Sequence, residues 1–466
     1  MKLLGIDEII AAMGGRPLGS PPTGAVGEVC IDSRKVVERC VFFAIKGEQH
    51  DGHDFVQDAL SAGALAAVCS DVGKLPPSLQ RDGRIISVSD TTEALGKLAA
   101  WYRKQLAAQV IAVVGSNGKT TTKDILTTVL STRRQGRGAA ASFNNAIGVP
   151  LTLLSAEASD EFVVVEIGTN HPGEILALGR IVRPNIAVIT SIGEEHLEFF
   201  ETVDGVAKEE LSILTCLRDR GFVAISEDAA RFAAPEELKA RGAVIYGTSP
   251  ECHLRAENLT CDAGGQCFQL NGRREFRVPL LGPHNAINAM AAIAVGTRLR
   301  MSEDEIAAGL AEVKPAKMRL ESSMCGDITL INDAYNANPA SVRAALAVLD
   351  EFDSVQRKVL ILGDMRELGA ASEREHTAVG REAGRSTAQI IIAAGAFARF
   401  IADGAVSAAG TTKRVYAFQS LAALQEKLDT LIEPGDLVLL KASRGGRFEQ
   451  LVPRLEEIGR RVPART

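Results

Sequence analysis

The stretch Val110-Ile111-Ala112-Val113-Val114-Gly115-Ser116-Asn117-Gly118-Lys119-Thr120 decides how this chain is read. Five apolar residues, four of them Val or Ile, predict a strand buried on both faces. The glycine turn that follows opens a helical stretch running through Leu130. Strand, glycine turn and helix N-terminus together form a phosphate cradle. Glycines let backbone N–H groups face an anion, Lys119 adds a point charge, and Thr120 can set a hydroxyl on Mg²⁺. The longer P-loop pattern asks for glycine at position 113, where this chain has Val113. The match is therefore to the short form Gly-x-x-Gly-Lys-Thr, and nucleoside triphosphate binding by Gly115, Ser116, Asn117, Gly118, Lys119, Thr120 and Thr121 is expected.

Working outward, apolar runs recur at Phe162–Ile167, Ile186–Thr190 and Phe222–Ile225, with helical periodicity between them. A further helix is expected over Ala286–Leu299. Asp90-Thr91-Thr92-Glu93 reads as a capping box starting a helix to about Leu106. Towards the C-terminus the theme repeats, with strands expected at Ile328–Asn332, Lys358–Leu362, Gln389–Ala393 and Leu437–Lys441. Residues 1–88 carry only short strand-like pieces (Val26–Ile31, Val41–Ile45, Ala66–Cys69, Arg84–Val88) and one helix near Phe55–Ala62. A chain of 466 residues is too long for one core. The expectation is a three-domain α/β protein: a small N-terminal α/β domain over 1–88, a central P-loop-type domain with a parallel or mixed sheet over 89–312, and a C-terminal Rossmann-like doubly wound domain over 313–466.

Composition excludes several classes of function. A net charge of −6 gives no general positive field for nucleic acid or anionic membranes. No apolar run approaches the ~18 residues of a spanning helix. Acidic residues Asp7 and Glu8 stand where a signal peptide needs an apolar stretch, so a cytosolic protein is expected. Eight scattered cysteines, with no Cys-x-x-Cys pair, read as reduced thiols.

Polar residues that follow strands occupy the edge where open α/β sheets keep their ligands. Glu166 ends one apolar run, and His196 lies a short loop beyond another. A buried carboxylate at a strand end is costly unless paired or metal-bound. Thr120, Glu166 and His196 are therefore candidate magnesium ligands, with water and phosphate oxygens completing the shell. Lys208 lies on an amphipathic stretch whose apolar stripe is Val203, Val206, Ala207, Leu211 and Leu214, and by itself it reads as a solvated lysine.

Taken in order, further segments complete a pattern. They are Asp32-Ser33-Arg34, Phe43-Ala44-Ile45-Lys46-Gly47 with Asp51-Gly52-His53-Asp54-Phe55, Asn144–Pro150, and Glu166-Ile167-Gly168 with Asn170-His171-Pro172-Gly173-Glu174. Glu195-His196-Leu197, His284-Asn285-Ala286-Ile287-Asn288, Arg319-Leu320-Glu321, Asp333–Pro339, Gly363–Gly369 and Lys441-Ala442-Ser443-Arg444 follow. In this order and spacing the chain resembles the Mur ligase family of ATP-dependent amide synthetases over essentially its whole length. The segment Lys441–Arg444 departs from the family in one place, with Ala442 where glycine is usual.

The resemblance implies roles that the residues alone do not fix. Asp32, Ser33, Arg34 and Lys46 would hold the uridine diphosphate end of a substrate, although alone they read as a solvated charged loop. Asn144 and Asn145 would face the phosphates or the muramoyl side of that substrate, His171 would face the substrate, and Asn338, Lys441, Ser443 and Arg444 would bind substrate from the third domain. Asn285 and Asn288, three apart on one helical face, would contact adenine, while Arg319, Asp333, Tyr335 and Asn336 would reach the nucleotide. Lys119, Lys208 and His196 would be catalytic. Lys208 falls in an Ala-Lys-x-Glu segment where relatives carry a carbamylated lysine, which turns a cation into an oxygen ligand for the metal. ATP and Mg²⁺ would be required. The substrates implied are UDP-N-acetylmuramoyl-tripeptide and D-alanyl-D-alanine, used by a monomer. A sibling that adds the third amino acid would carry Asp-Asn-Pro-Arg, whereas this chain has Asn336-Ala337-Asn338-Pro339. A nucleotide-binding regulatory module that ligates nothing is the rival from another class.

Overall fold

The computed structural model describes residues 1–461 apart from residues 2, 48, 141, 263, 353–356 and 411. Three main sheets follow one another along the chain. The first has five strands in the order Arg16–Pro17, Ile85–Ser87, Ala66–Cys69, Cys40–Phe43, Glu28–Cys30. The second has nine, and towards one end of it Gln109–Val114 runs between Phe162–Glu166 and Ile186–Ile189. The third has six, with Ile328–Asp333, Leu437–Lys441, Lys358–Gly363, Ile390–Ala394 and Arg414–Phe418 running parallel.

The strands expected from buried Val/Ile runs form within one or two residues of their expected positions, because two-sided burial leaves no other way to place those side chains. Edge strands were missed for the opposite reason. Glu321–Cys325 buries only Cys325, and Arg414–Phe418 has no fully buried residue, so neither carries an apolar run. Gly136–Gly138 contains two glycines because the neighbouring strand at Gly136 and Thr127 of the preceding helix at Gly138 leave no room for side chains. A Cβ at Gly136 would lie 2.4 Å from the Phe162 ring. The antiparallel hairpin of Leu254–Asp262, Gly265–Leu270 and Arg274–Val278 also extends the central sheet beyond its parallel part.

The capping box at Asp90 forms by half. Asp90 accepts from the Glu93 N–H at 2.7 Å, but Glu93 pairs with Lys97 at 2.8 Å instead of reaching back. The helix it starts, Thr91–Arg103, ends short of Leu106 and lies between the first two sheets. Its Ala94, Leu95, Leu98, Ala99 and Tyr102 join Ile6, Ile9, Val41, Phe43 and Ile86 of the first sheet's layer and Val110, Val163 and Ile189 of the second in one uninterrupted apolar cluster. The third sheet has two layers whose buried members all lie between Leu320 and Ile458. Its contacts with the central sheet are mostly polar: Asn338 to Asn117 at 2.9 Å, Arg319 to Thr120 at 3.0 Å, and Arg343 to Glu194 at 3.5 Å. Cys30, Cys40, Cys69, Cys216, Cys252 and Cys325 are free thiols, and no helix among the described residues is long and apolar enough to cross a membrane.

Candidate active site

The turn after Gln109–Val114 is tied down before any ligand arrives. Gly115 donates its N–H to Glu210 Oε2 at 2.8 Å, Ser116 donates to the Ser191 carbonyl at 2.9 Å, and Asn117 donates to Ser191 Oγ at 2.8 Å. Both glycines are obligatory. Gly115 and Gly118 have φ of 125° and 82°, and a Cβ at Gly115 would lie 2.4 Å from the Thr190 hydroxyl. Gly118 caps the helix Lys119–Ser131 and offers it no side chain, so its first-turn N–H groups are left for an anion.

Lys119 is turned back onto this turn. Its ammonium donates to the Gly115 carbonyl and, at 3.3 Å, to Ser116 O, with Glu195 3.7 Å away. Burial alone would lower its pKa, but Glu195, Glu210 and Glu166 outweigh that and hold it charged. All three of these carboxylates are incompletely satisfied, Glu210 on its Oε1. Glu166 accepts from Asn144 Nδ2 at 2.9 Å on one oxygen while its other oxygen has no partner, and Glu195 Oε1 has none. Unpartnered buried oxygens are costly and point to something that binds them. Among the described residues no three His, Cys, Asp or Glu side chains form a ready-made metal cage. A cation here would also need hydroxyl, water or phosphate oxygens, which suits magnesium.

Glu210 is fully buried, with one oxygen on Gly115 and the other unpartnered. Burial, aided by Glu195 and opposed by Lys119, pushes its pKa from 4.5 up to about 8. The unfolded chain therefore ionises Glu210 above the ordinary value while the folded chain keeps the proton until about 8. Its contribution to stability falls as pH rises through that window. Glu210→Gln, which cannot ionise, is expected to gain in melting temperature on the parent between pH ~5 and ~8 and no further above it. Melting curves across that range check this, and a constant difference would count against it.

Above the turn, a cleft of about 640 Å³ is closed by the third sheet. Arg319 reaches Thr120 while its guanidinium lies 4.2 Å over the Tyr335 ring. It is flanked by Met318 and Leu320, both left-handed at φ 58° and 48°, conformations kept only where surroundings impose them. Here Glu321 accepts from Met318 N at 2.9 Å and Asp333 from Leu320 N at 3.2 Å. Asp333 pairs with Lys441 at 2.7 Å, and Lys441 also donates to Asn336 O at 2.7 Å. Burial raises the Asp333 pKa and lowers that of Lys441, so each depends on the other. Asn288 Nδ2 donates to Asn285 Oδ1 at 2.9 Å, and both line the cleft. His196, at φ 48°, presents Nδ1 to Glu367 and Nε2 to Glu195 at 3.8 Å.

The cleft thus gathers Ser116 to Thr121, Glu166, His196, Asn144, Asn145, Asn285, Asn288, Arg319, Asp333, Tyr335, Asn336 and Lys441, with Gly115 directly behind. Other expected residues lie outside its lining. Ser33, Arg34 and Lys46 sit in the first unit, where Arg34 pairs with Asp32 at 2.9 Å and Lys46 bridges Asp51. His171 is exposed against Phe199, ring centroids 4.3 Å apart. Asn338 caps the helix Pro339–Glu351, Ser443 donates to Ala337 O at 3.3 Å, and Arg444 pairs with Glu449 at 3.2 Å. Lys208 is exposed and also lies outside the lining. Glu195, Glu210 and His284 were not expected as site residues. His284 lines the cleft, its Nδ1 is unpartnered, and burial beside Lys441 lowers its pKa to about 4, which leaves a neutral imidazole.

A turn that cradles phosphates, facing polar strand ends from a second α/β unit, defines an ATP-using ligase of three domains, and the chain belongs to the Mur ligase family. Three family models match consecutive parts of it: the Mur ligase family, catalytic domain over residues 26–103, the Mur ligase middle domain over 113–296, and the Mur ligase, glutamate ligase domain over 318–444. It is 36% identical over 431 residues to the UDP-N-acetylmuramoyl-tripeptide--D-alanyl-D-alanine ligase of Bacillus subtilis, covering 92% of this chain and 93% of that protein. A crystal structure of MurF from Acinetobacter baumannii superposes with TM-score 0.85 at 31% identity, covering 98% of this chain and 99% of that one. The MurF ligase of Thermotoga maritima, in complex with ADP, superposes at 0.77 with 25% identity over 92% and 97%.

Proposed function

We propose that this chain joins D-alanyl-D-alanine to UDP-N-acetylmuramoyl-tripeptide at the expense of ATP, giving UDP-N-acetylmuramoyl-pentapeptide, ADP and phosphate for peptidoglycan synthesis. The observation that carries the reading is the cleft itself, where the phosphate turn, a charged, partly buried Lys119 and unsatisfied Glu166 and Glu195 face Arg319.

In this reading a carboxylate oxygen of the tripeptide attacks the γ-phosphorus, the bond to the β–γ bridging oxygen breaks, and ADP leaves an acyl phosphate. Lys119, the first-turn N–H groups of its helix and Arg319 offset charge on the phosphoryl oxygens. The dipeptide amine then attacks the acyl carbon, loses a proton, and the tetrahedral intermediate expels phosphate. No protein nucleophile is needed, so positioning supplies most of the acceleration. Magnesium would be held by Thr120, Glu166 and His196, with Glu195 beside them, and would neutralise phosphate charge. Lys208 would join them only as a carbamate. Residues 1–88 would bind the uridine diphosphate end through Ser33, Arg34 and Lys46, with Asn144, Asn145 and His171 facing the rest of that substrate. Residues 89–312 would hold ATP, and residues 313–466 the dipeptide through Asn338, Lys441, Ser443 and Arg444.

Phosphate release measured with ATP, magnesium, the UDP-linked tripeptide and D-alanyl-D-alanine, omitting each in turn, tests this. Release is expected only with all four. Release without the dipeptide, or equal release with L-alanyl-L-alanine, would sink the specific reading. Nucleotide binding without release would favour a regulatory module.

A further inference from the structure

The helix Val203–Leu211 carries two adjacent carboxylates that reach two different loops of the cleft. Glu209 grips the first turn of the helix Glu174–Val182, with Oε2 accepting from Gly173 N and Oε1 from Ile175 N, both at 2.8 Å. Gly173 caps that helix at φ 92° and has no side chain, so the acceptors its N–H groups need come from elsewhere in the chain. Glu210 reaches the other way and holds the first N–H of the phosphate turn, that of Gly115. Successive helical residues point about 100° apart, which is how neighbours diverge to two loops. The loop that Glu209 anchors supplies Gly168, Thr169, Asn170 and Glu174 to the cleft, facing the turn that Glu210 anchors.

We infer that Glu209 and Glu210 are paired positioning residues, which fix the distance between the acceptor-side loop and the nucleotide turn so that carboxylate and γ-phosphate meet. Neither touches a reacting atom. The inference rests on the ligase reading, and it makes a prediction that a merely structural role does not. Both oxygens of Glu209 are occupied, whereas Glu210 uses one and leaves the other unpartnered. An amide keeps one acceptor oxygen and replaces the other with a donor. Glutamine therefore serves at position 210 and fails at 209, where its NH₂ would confront an N–H.

The test is steady-state ligation by Glu209→Gln, Glu210→Gln, Glu209→Ala and Glu210→Ala, with melting curves and binding of a fluorescent ADP analogue. Glu209→Gln is expected to raise KM for the UDP-linked tripeptide about tenfold or more and leave ADP-analogue affinity within about threefold. Glu210→Ala is expected to weaken the ADP analogue about tenfold, and Glu210→Gln to restore it to within about threefold of the parent. Equal behaviour of the two glutamine variants, or losses in melting temperature with unchanged KM and affinity, would overturn the inference. An alanine variant that does not fold leaves the glutamine pair to decide it. If the parent protein itself releases no phosphate with the full substrate set, the ligase reading fails instead, and the ADP-analogue comparison at position 210 still stands.

Discussion

Lys119→Ala is expected to lower ATP-dependent phosphate release by on the order of a thousandfold while the protein stays folded. The side chain contributes no apolar packing that the turn needs, because Gly115, Ser116 and Asn117 are already held by Glu210 and Ser191. It contributes charge, held above all by Glu195, in a site where water screens poorly. Removing it leaves Glu195 and Glu166 facing the triphosphate unopposed. Arginine is not a substitute, since a planar fork cannot replace a compact ammonium folded back on its own turn. Single-turnover phosphate release beside a melting curve checks the result. Near-normal release by the alanine variant would remove Lys119 from the mechanism.

Lys441→Met is expected to destabilise the third domain by about 3–5 kcal/mol, because it strands Asp333 as a buried carboxylate. The pair is 2.7 Å apart, and both residues are at least nine-tenths buried. Part of the loss should return in the double variant Asp333→Asn/Lys441→Met, which removes both charges together. Asp333 also accepts from Leu320 N, so the strained backbone beside Arg319 should loosen in the single variant and weaken nucleotide binding. Denaturant unfolding of the three proteins checks the order. A single variant as stable as the parent would show that Asp333 is not stranded.

What was legible in the sequence was whatever depends on strands buried on both faces. Val110–Val114, Phe162–Ile167 and Leu437–Lys441 announce themselves, and the polar residues that end them fall at the cleft as expected. Residues whose role depends on helix phase or on distant partners were harder to see. Lys208 drew attention through the resemblance, as a metal ligand if carbamylated, while the carboxylate that holds the turn is Glu210, two residues and about 200° further round the helix. A signal was present. Glu210 stands three after Ala207 and four after Val206, squarely on the apolar stripe where a charge is out of place. Glu195 stands beside His196 in the segment Glu195-His196-Leu197, but nothing local shows that Lys119 will fold back beside it. The contacts of Asn338 with Asn117 and of Ser443 with Ala337 join residues far apart in the chain, which no local pattern encodes.

The unbroken apolar layer shared by the first two sheets has a consequence for how the chain comes apart. Where two sheets share one core through the helix Thr91–Arg103, neither can melt without exposing the other's apolar face. The third sheet keeps its own layers and meets the rest mostly through hydrogen bonds and ion pairs, the Glu198 N–H to Glu367 O bond among them, with Leu281 packed against its core. Calorimetry should therefore show two units of cooperativity in a protein of three domains. A protease should find its first purchase near Lys314 and Lys317, exposed residues in the connection between those units. The phosphate turn belongs to the larger unit and the arginine above it to the smaller one, so the catalytic cleft is also the seam along which the molecule divides.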